Sequence, residues 1–93
     1  MSKLIWSESQ QLMTLPEVMT LETIPKLAGL KKLLTQPVLT VDFSQVIQLD
    51  SAVLALLLTW SANVTENIKI TNAPSELLTL IGLYDLESVL EIS

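Results

Sequence analysis

The sequence predicts an α/β fold in which a mixed β-sheet is built mainly from parallel strand-helix units. Short apolar, β-branched segments alternate with helical segments, and the connections between them are short. The chain of 93 residues is long enough for only one hydrophobic core. Hydrophobic residues make up 49% of it and charged residues 16%, so apolar side chains remain for the surface. We therefore expect a single domain over residues 1–93, with apolar surface available for a partner.

The first third of the chain predicts a β-hairpin followed by a helix. Segments 4–6 and 11–15 alternate in part between apolar and polar residues and are separated by a polar turn, which is typical of two antiparallel strands. From about Thr20 apolar residues recur at intervals of three and four, which predicts a helix that ends before Pro37. Gly29 lies inside this helix and weakens it by about 1 kcal/mol relative to alanine.

The rest of the chain predicts further strands that alternate with helices. Segment 38–43 is short, β-branched and mostly apolar, as a central strand buried in a sheet should be. Segments 51–63 and 75–81 have helical spacing, with a strand at 68–71 between them and an edge strand at 90–92 after them. Connections this short imply right-handed parallel crossovers.

The second predicted helix is apolar almost all the way round. If Leu54 lies at the centre of the face that packs on the sheet, Leu57 and Leu58 lie beside it. The opposite face then carries no charge, although solvated helix faces normally do. Either the first or third helix covers this face, or it binds another protein with Trp60 as an anchor. The residues on or beside this outer face are Ala52, Val53, Leu56, Thr59, Trp60 and Asn63.

Asp50 and Ser51 lie where this helix should begin. Either side chain can accept a hydrogen bond from the free backbone N–H groups of the first turn, so we expect one of the two to be the helix cap. A serine here is also exposed, next to the positive end of the helix dipole. Ser51 is therefore a candidate contact residue and a candidate phosphorylation site.

The composition argues against several classes of function. Ten acidic residues face five lysines, with no arginine and no histidine, so a nucleic-acid partner is not expected. Cysteine is absent, which excludes disulfides and thiolate metal sites. Ser51 has no histidine to activate it, and two glycines cannot build a phosphate-binding loop. Asp42 and Asp50 alone would make at best a weak Mg²⁺ site. We expect no enzymatic activity, no cofactor and no metal.

The sequence also predicts no segment that would place the protein in a membrane or outside the cell. Its amino-terminal residues turn polar too early for a signal peptide. The longest apolar run, residues 52–58, is much shorter than the 18 or so residues that cross a bilayer. We expect a soluble intracellular protein that does not insert into a membrane directly and meets one only through another subunit.

Segment 41–51, followed by Leu54, resembles the signature of STAS domains, the family of anti-sigma-factor antagonists. In that family a strand, a loop and an Asp-Ser or Asp-Thr helix start recur in this order. Upstream, Thr23-Ile24-Pro25-Lys26-Leu27 is similar to the family's Thr-Ala-Pro-x-Leu at the first helix. The resemblance implies a sheet with parallel strands, helices mainly on one face, and an activity that consists of binding a partner.

Within the family, the chain is most similar to the STAS subunits of phospholipid ABC transporters. That similarity implies a partner, the transporter's ATPase subunit, in a complex with permease and lipid-binding subunits. It also implies a cytoplasmic position, peripheral to the inner membrane of a Gram-negative cell, and a role in outer-membrane lipid asymmetry. The expected contacts lie at the amino end of the second helix, at Asp50, Ser51, Ala52, Val53, Leu56, Thr59 and Trp60.

Two other functions stay open at this stage. A free switch of the anti-anti-sigma type would be controlled by phosphorylation of Ser51. The family usually has glycines after the Asp-Ser/Thr pair, whereas this chain has Ala52-Val53, and that departure favours a static contact over recognition by a kinase. A lipid carrier would need an internal cavity.

Overall fold

The computed structural model describes residues 3–93, which form a five-stranded sheet, a separate two-stranded sheet and three α-helices. The strands are β1 (Ile5–Ser7), β2 (Leu12–Thr14), β3 (Val18–Met19), β4 (Thr40–Asp42), β5 (Gln48–Leu49), β6 (Ile68–Thr71) and β7 (Leu90–Ile92). The helices are α1 (Leu30–Leu33), α2 (Ala52–Ser61) and α3 (Ser75–Leu83), and a 3-10 turn spans Ile24–Lys26.

The five-stranded sheet has the order β1-β2-β4-β6-β7. β1 pairs antiparallel with β2, whereas β2, β4, β6 and β7 run parallel to one another. The hairpin, the central strand and the parallel pairing of the later strands are therefore as the sequence predicts, and the α/β fold with a mixed sheet is confirmed.

The sheet register places the core on one face. Met13, Val41 and Ile70 lie side by side on adjacent strands, and each is fully buried. Thr40 precedes Val41 and Lys69 precedes Ile70, so both point to the opposite face of the sheet. Thr40 is half-buried and Lys69 is exposed. The helices thus cover one face of the sheet, as expected.

The first predicted helix is not continuous, and that prediction is wrong. The 3-10 turn ends at Lys26, the next residue, Leu27, has an extended ψ of 130°, and Gly29 has a left-handed φ of 71°. A left-handed residue cannot continue an α-helix, and glycine adopts this conformation without the penalty of a Cβ atom. The chain therefore turns at Gly29 before the short helix α1 begins.

The two-stranded sheet was not predicted. β3 and β5 pair in parallel, with Val18 opposite Gln48 and Met19 opposite Leu49. Two residues are too few for a pattern with a period of two to be recognised in the sequence. This small sheet joins the segment before the 3-10 turn to the segment that leads into α2.

The prediction of which face of α2 packs against the core is wrong. Val53, Leu56 and Trp60 are at most 4% exposed, whereas Leu58, which was expected to face the sheet, is 42% exposed. The exposed face is instead a row at helical spacing, with Ser51, Ala55, Leu58, Thr59 and Ala62.

The region of α1 covers the side of α2 that was expected to be free. The indole Nε1–H of Trp60 donates to the carbonyl of Leu33 at 3.0 Å. The amide of Asn63 donates to the carbonyls of Leu34 at 2.8 Å and Gln36 at 3.1 Å. Of the two explanations for the uncharged face, coverage by the first helical segment is therefore correct.

No helix within residues 3–93 has both the length and the apolar character needed to cross a membrane.

Candidate protein-binding site

The start of α2 is organised by the carboxylate of Asp50. Its Oδ1 accepts a hydrogen bond from the backbone N–H of Ala52 at 2.9 Å, and its Oδ2 accepts one from the N–H of Leu21 at 3.0 Å. The first bond satisfies one of the free donors of the helical first turn, which makes Asp50 the capping side chain. The second bond holds the segment after β3 against the start of the helix.

Ser51 differs from Asp50 in both exposure and bonding. Its side chain is exposed and makes no capping hydrogen bond. Capping therefore explains Asp50 and leaves the hydroxyl of Ser51 facing solvent. This hydroxyl can donate to or accept from a group on another molecule.

Two shallow grooves meet at Ser51. The first, with a volume of about 430 Å³, runs along the exposed face of α2 and is lined by Ser51, Leu54, Ala55, Leu58, Tyr84 and Leu86. The second lies between the start of α2 and α3, and its lining includes Asp50, Glu76, Leu80 and again Ser51 and Tyr84. Tyr84 is 58% exposed. Ser51 and Tyr84 line both grooves. We call the two grooves together the Ser51 surface, and its main exposed or half-buried residues are Ser51, Ala55, Leu58, Glu76, Leu80 and Tyr84.

The Ser51 surface combines apolar side chains with negative charge. Asp50 and Glu76 line the second groove, and neither groove is lined by a lysine. An apolar centre with a few polar groups is typical of protein-protein contacts. The two carboxylates favour a partner with basic groups and disfavour an anionic ligand.

Comparison with known protein families decides the identity of the fold. The family model described as "Mlab, STAS domain" matches residues 3–91. The chain belongs to the STAS domain family. Within it, the chain is most like MlaB, because the matching family model is described by that name. A search of the curated proteins finds no match to the chain.

Only some of the partner-binding residues expected from the sequence are accessible at the surface of this STAS domain. Ser51 and Thr59 are exposed, and Asp50 and Ala52 are half-buried. Val53, Leu56 and Trp60 lie in the hydrophobic core, so they cannot contact a partner while the domain stays folded. The partner-binding role of the other four remains a prediction.

Of the main residues of the Ser51 surface, only Ser51 was among the contacts expected from the sequence, and the five others were missed, as Leu58 and Tyr84 illustrate. Leu58 lies seven residues after Ser51, on the same helical face as Ala55, and this spacing could have identified it once Ser51 was taken as exposed. Tyr84 follows α3, and no local pattern places it beside α2. Its contribution depends on the way α3 packs in the STAS fold.

Asp42, the other carboxylate considered as a site residue, belongs to a structural network. Oδ1 accepts from the Ser44 backbone N–H at 3.1 Å, the Thr71 hydroxyl at 3.0 Å and the Asn72 amide at 2.8 Å. Oδ2 accepts from the Ser44 hydroxyl at 2.7 Å. These bonds join the carboxyl ends of β4 and β6. Among residues 3–93, no group of three or more potential metal-binding side chains occurs.

The hydrogen bonds to Asp42 change its acidity. Partial burial alone would raise the pKa of Asp42, but hydrogen bonds from Asn72, Ser44 and Thr71 oppose it, and the net pKa lies below the ordinary value of 3.8. Because the folded pKa is lowered, ionised Asp42 stabilises the domain at pH values above the unfolded pKa. This contribution is lost as the pH falls through the folded pKa.

We expect Asp42→Asn to lower the free energy of unfolding at neutral pH and to have a smaller effect below about pH 3.8. The reason is that protonated Asp42, like asparagine, has lost its charge-assisted bonds. Urea titrations of both proteins at neutral and acidic pH measure this difference. An equal loss at both pH values would show that ionisation of Asp42 does not contribute.

Proposed function

We propose that this STAS domain is a non-enzymatic subunit that binds the ATPase of an ABC-type phospholipid transporter through the Ser51 surface. Its match to a family described by the MlaB name supports the transporter context. In this proposal, the domain supports the assembly or activity of the ATPase, and the ATPase carries out the hydrolysis.

The observation that carries the proposal is the position of Ser51 at the junction of two grooves. Its side chain is exposed and makes no capping hydrogen bond. Leu58 and Tyr84 extend from this point as exposed apolar side chains. A partner that covers them gains hydrophobic free energy, and the Ser51 hydroxyl supplies a hydrogen bond that sets the orientation. This combination suits recognition of a protein.

The chemistry near Ser51 supports binding over catalysis. The chain has no histidine or cysteine. The carboxylate nearest in sequence, Asp50, accepts hydrogen bonds from two backbone N–H groups through its two oxygens. A carboxylate held in this way is poorly suited to act as a general base for the adjacent hydroxyl.

The proposed assembly gives the domain a place in the cell. The ATPase would act with permease and lipid-binding subunits, and the STAS domain would be cytoplasmic and peripheral to the inner membrane. The complex would maintain lipid asymmetry of the outer membrane in a Gram-negative cell.

We expect Ser51→Glu and Ser51→Leu to weaken binding to the ATPase by roughly tenfold or more, because a bulky side chain at the centre of a contact prevents close approach. Glu is compatible with the start of a helix, so the domain should stay folded. Co-purification and calorimetric titration with the ATPase measure the effect.

Ser9→Glu is the matched control. Ser9 is exposed in the turn between β1 and β2 of the five-stranded sheet, whereas Ser51 follows β5 of the two-stranded sheet. The control should bind like the wild type. Full retention of the complex by both Ser51 variants would contradict the proposed contact.

The alternative function is a free regulatory switch that cycles between phosphorylated and unmodified Ser51. The exposure of the hydroxyl favours it. The carboxylates of Asp50 and Glu76 along the second groove oppose it, because they repel an added phosphate. Mass spectrometry of the protein isolated from cells distinguishes the two functions, since a substantial phosphorylated fraction would favour the switch.

A further inference from the structure

Two strongly exposed apolar side chains flank the strands of the small β3–β5 sheet. Leu21, two residues after β3, is 72% exposed, and Ile47, immediately before β5, is 77% exposed. Large aliphatic side chains at this level of exposure gain free energy if a partner covers them.

The backbone under these two side chains is held in place by hydrogen bonds. The N–H of Ile47 donates to the carbonyl of Glu17 at 2.8 Å, and the N–H of Leu21 donates to Asp50 Oδ2 at 3.0 Å. The Thr23 hydroxyl donates to the carbonyl of Val18 at 2.9 Å and closes the turn that follows β3. Leu21 and Ile47 are therefore presented on an ordered backbone, which lowers the entropy cost of binding.

The β3–β5 sheet adjoins the Ser51 surface through Asp50. One carboxylate oxygen of Asp50 caps α2 at Ala52, and the other holds the N–H of Leu21. A partner that covers Ser51 therefore has Leu21 within reach on the neighbouring segment.

The charges around these segments indicate the chemistry of the partner. Segments 16–26, 44–51 and 75–84 carry four acidic residues, Glu17, Glu22, Asp50 and Glu76, against a single lysine, Lys26. Glu17 and Glu22 are exposed. A negative rim around apolar side chains complements a protein surface with an apolar centre and Lys or Arg at its edge. The same rim is repelled by an anionic lipid bilayer.

We propose that the β3–β5 sheet forms the second half of the docking surface, in which Leu21 and Ile47 pack into an apolar area of the partner that is bordered by basic side chains. This inference rests on the proposed function, because it takes the transporter ATPase as the partner.

The test compares a double variant with the wild-type domain in titrations against the purified ATPase. Leu21→Ser with Ile47→Ser should weaken binding by roughly tenfold or more, since both anchors are lost. Ile5→Ser is the matched control, because Ile5 is 49% exposed but lies on β1, at the edge of the five-stranded sheet. Circular dichroism and thermal unfolding should show that all variants remain folded. Added salt should weaken wild-type binding, because it screens the contacts of the acidic rim.

Together, the outcomes distinguish a failure of the inference from a failure of the proposed function. If the double variant binds like the wild type while Ser51→Leu does not, the second half of the surface is refuted and the proposed function stands. If the wild-type domain does not bind the ATPase at all, both are refuted. Binding that does not depend on salt would refute the basic border. Flotation of the wild type, but not of the double variant, with phosphatidylethanolamine-phosphatidylglycerol vesicles would identify a membrane as the occupant and overturn the inference.

Discussion

Leu56→Asp should unfold the domain, whereas Leu58→Asp on the same helix should leave it folded. Leu56 is 4% exposed and belongs to the hydrophobic core, while Leu58 is 42% exposed. At position 56 the substitution removes the apolar packing of the leucine and deprives the new carboxylate of most of its hydration. The expected cost is above about 4 kcal/mol. That is comparable with the whole stability of many domains of this size, which is about 5–15 kcal/mol. At position 58 the carboxylate stays in water and costs about 1 kcal/mol or less.

Far-UV circular dichroism and urea titration measure this pair directly. The two variants also differ in function, because Leu58 lines the first groove of the Ser51 surface. Folded Leu58→Asp should bind the ATPase more weakly than the wild type, since docking would bury the new charge against an apolar side chain. Cooperative unfolding of Leu56→Asp with near wild-type stability would mean that α2 turns a different face to the core.

The strands that build the sheet could be predicted from the sequence because their own side chains show which face is buried. In β6, Ile68 and Ile70 are buried and alternate with exposed Lys69, a pattern that is complete within the strand. The break at Gly29 could not be predicted in the same way. Apolar spacing continues past it, and glycine is tolerated in helices at a modest cost, so only the left-handed φ of Gly29 in the structure shows that the chain turns there.

The location of the candidate site could be predicted better than its composition. The Asp50-Ser51 pair marks a helix start by residue type alone, but either residue could have been the cap. The bond from Asp50 to the Leu21 N–H spans 29 positions and has no local signal. In α2, apolar residues occur on every side, so periodicity does not identify the buried face. The packing of the α1 region against Trp60 decides it.

Trp60→Ala should be the most destabilising truncation in α2. Trp60 is fully buried and is among the largest buried side chains of the core. Its removal leaves a large cavity and deletes the bond from Nε1 to the Leu33 carbonyl, with an expected cost of about 3–5 kcal/mol. Trp60→Phe keeps most of the volume and should cost about 1–2 kcal/mol, because the Leu33 carbonyl still accepts from the Gln36 N–H. Urea titration of both variants measures the difference.

Trp6→Phe is a suitable control, because Trp6 is only partly buried against the core and should tolerate the change better than Trp60. The Trp60→Phe variant also separates a structural role from a contact role. If Trp60 acts only by holding the α1 region on α2, the folded variant should bind the ATPase as tightly as the wild type, since the Ser51 surface lies on the other side of the helix. Folded Trp60→Phe that has lost the complex would show instead that the domain opens on binding and that Trp60 reaches the partner, as the uncharged helix face first suggested.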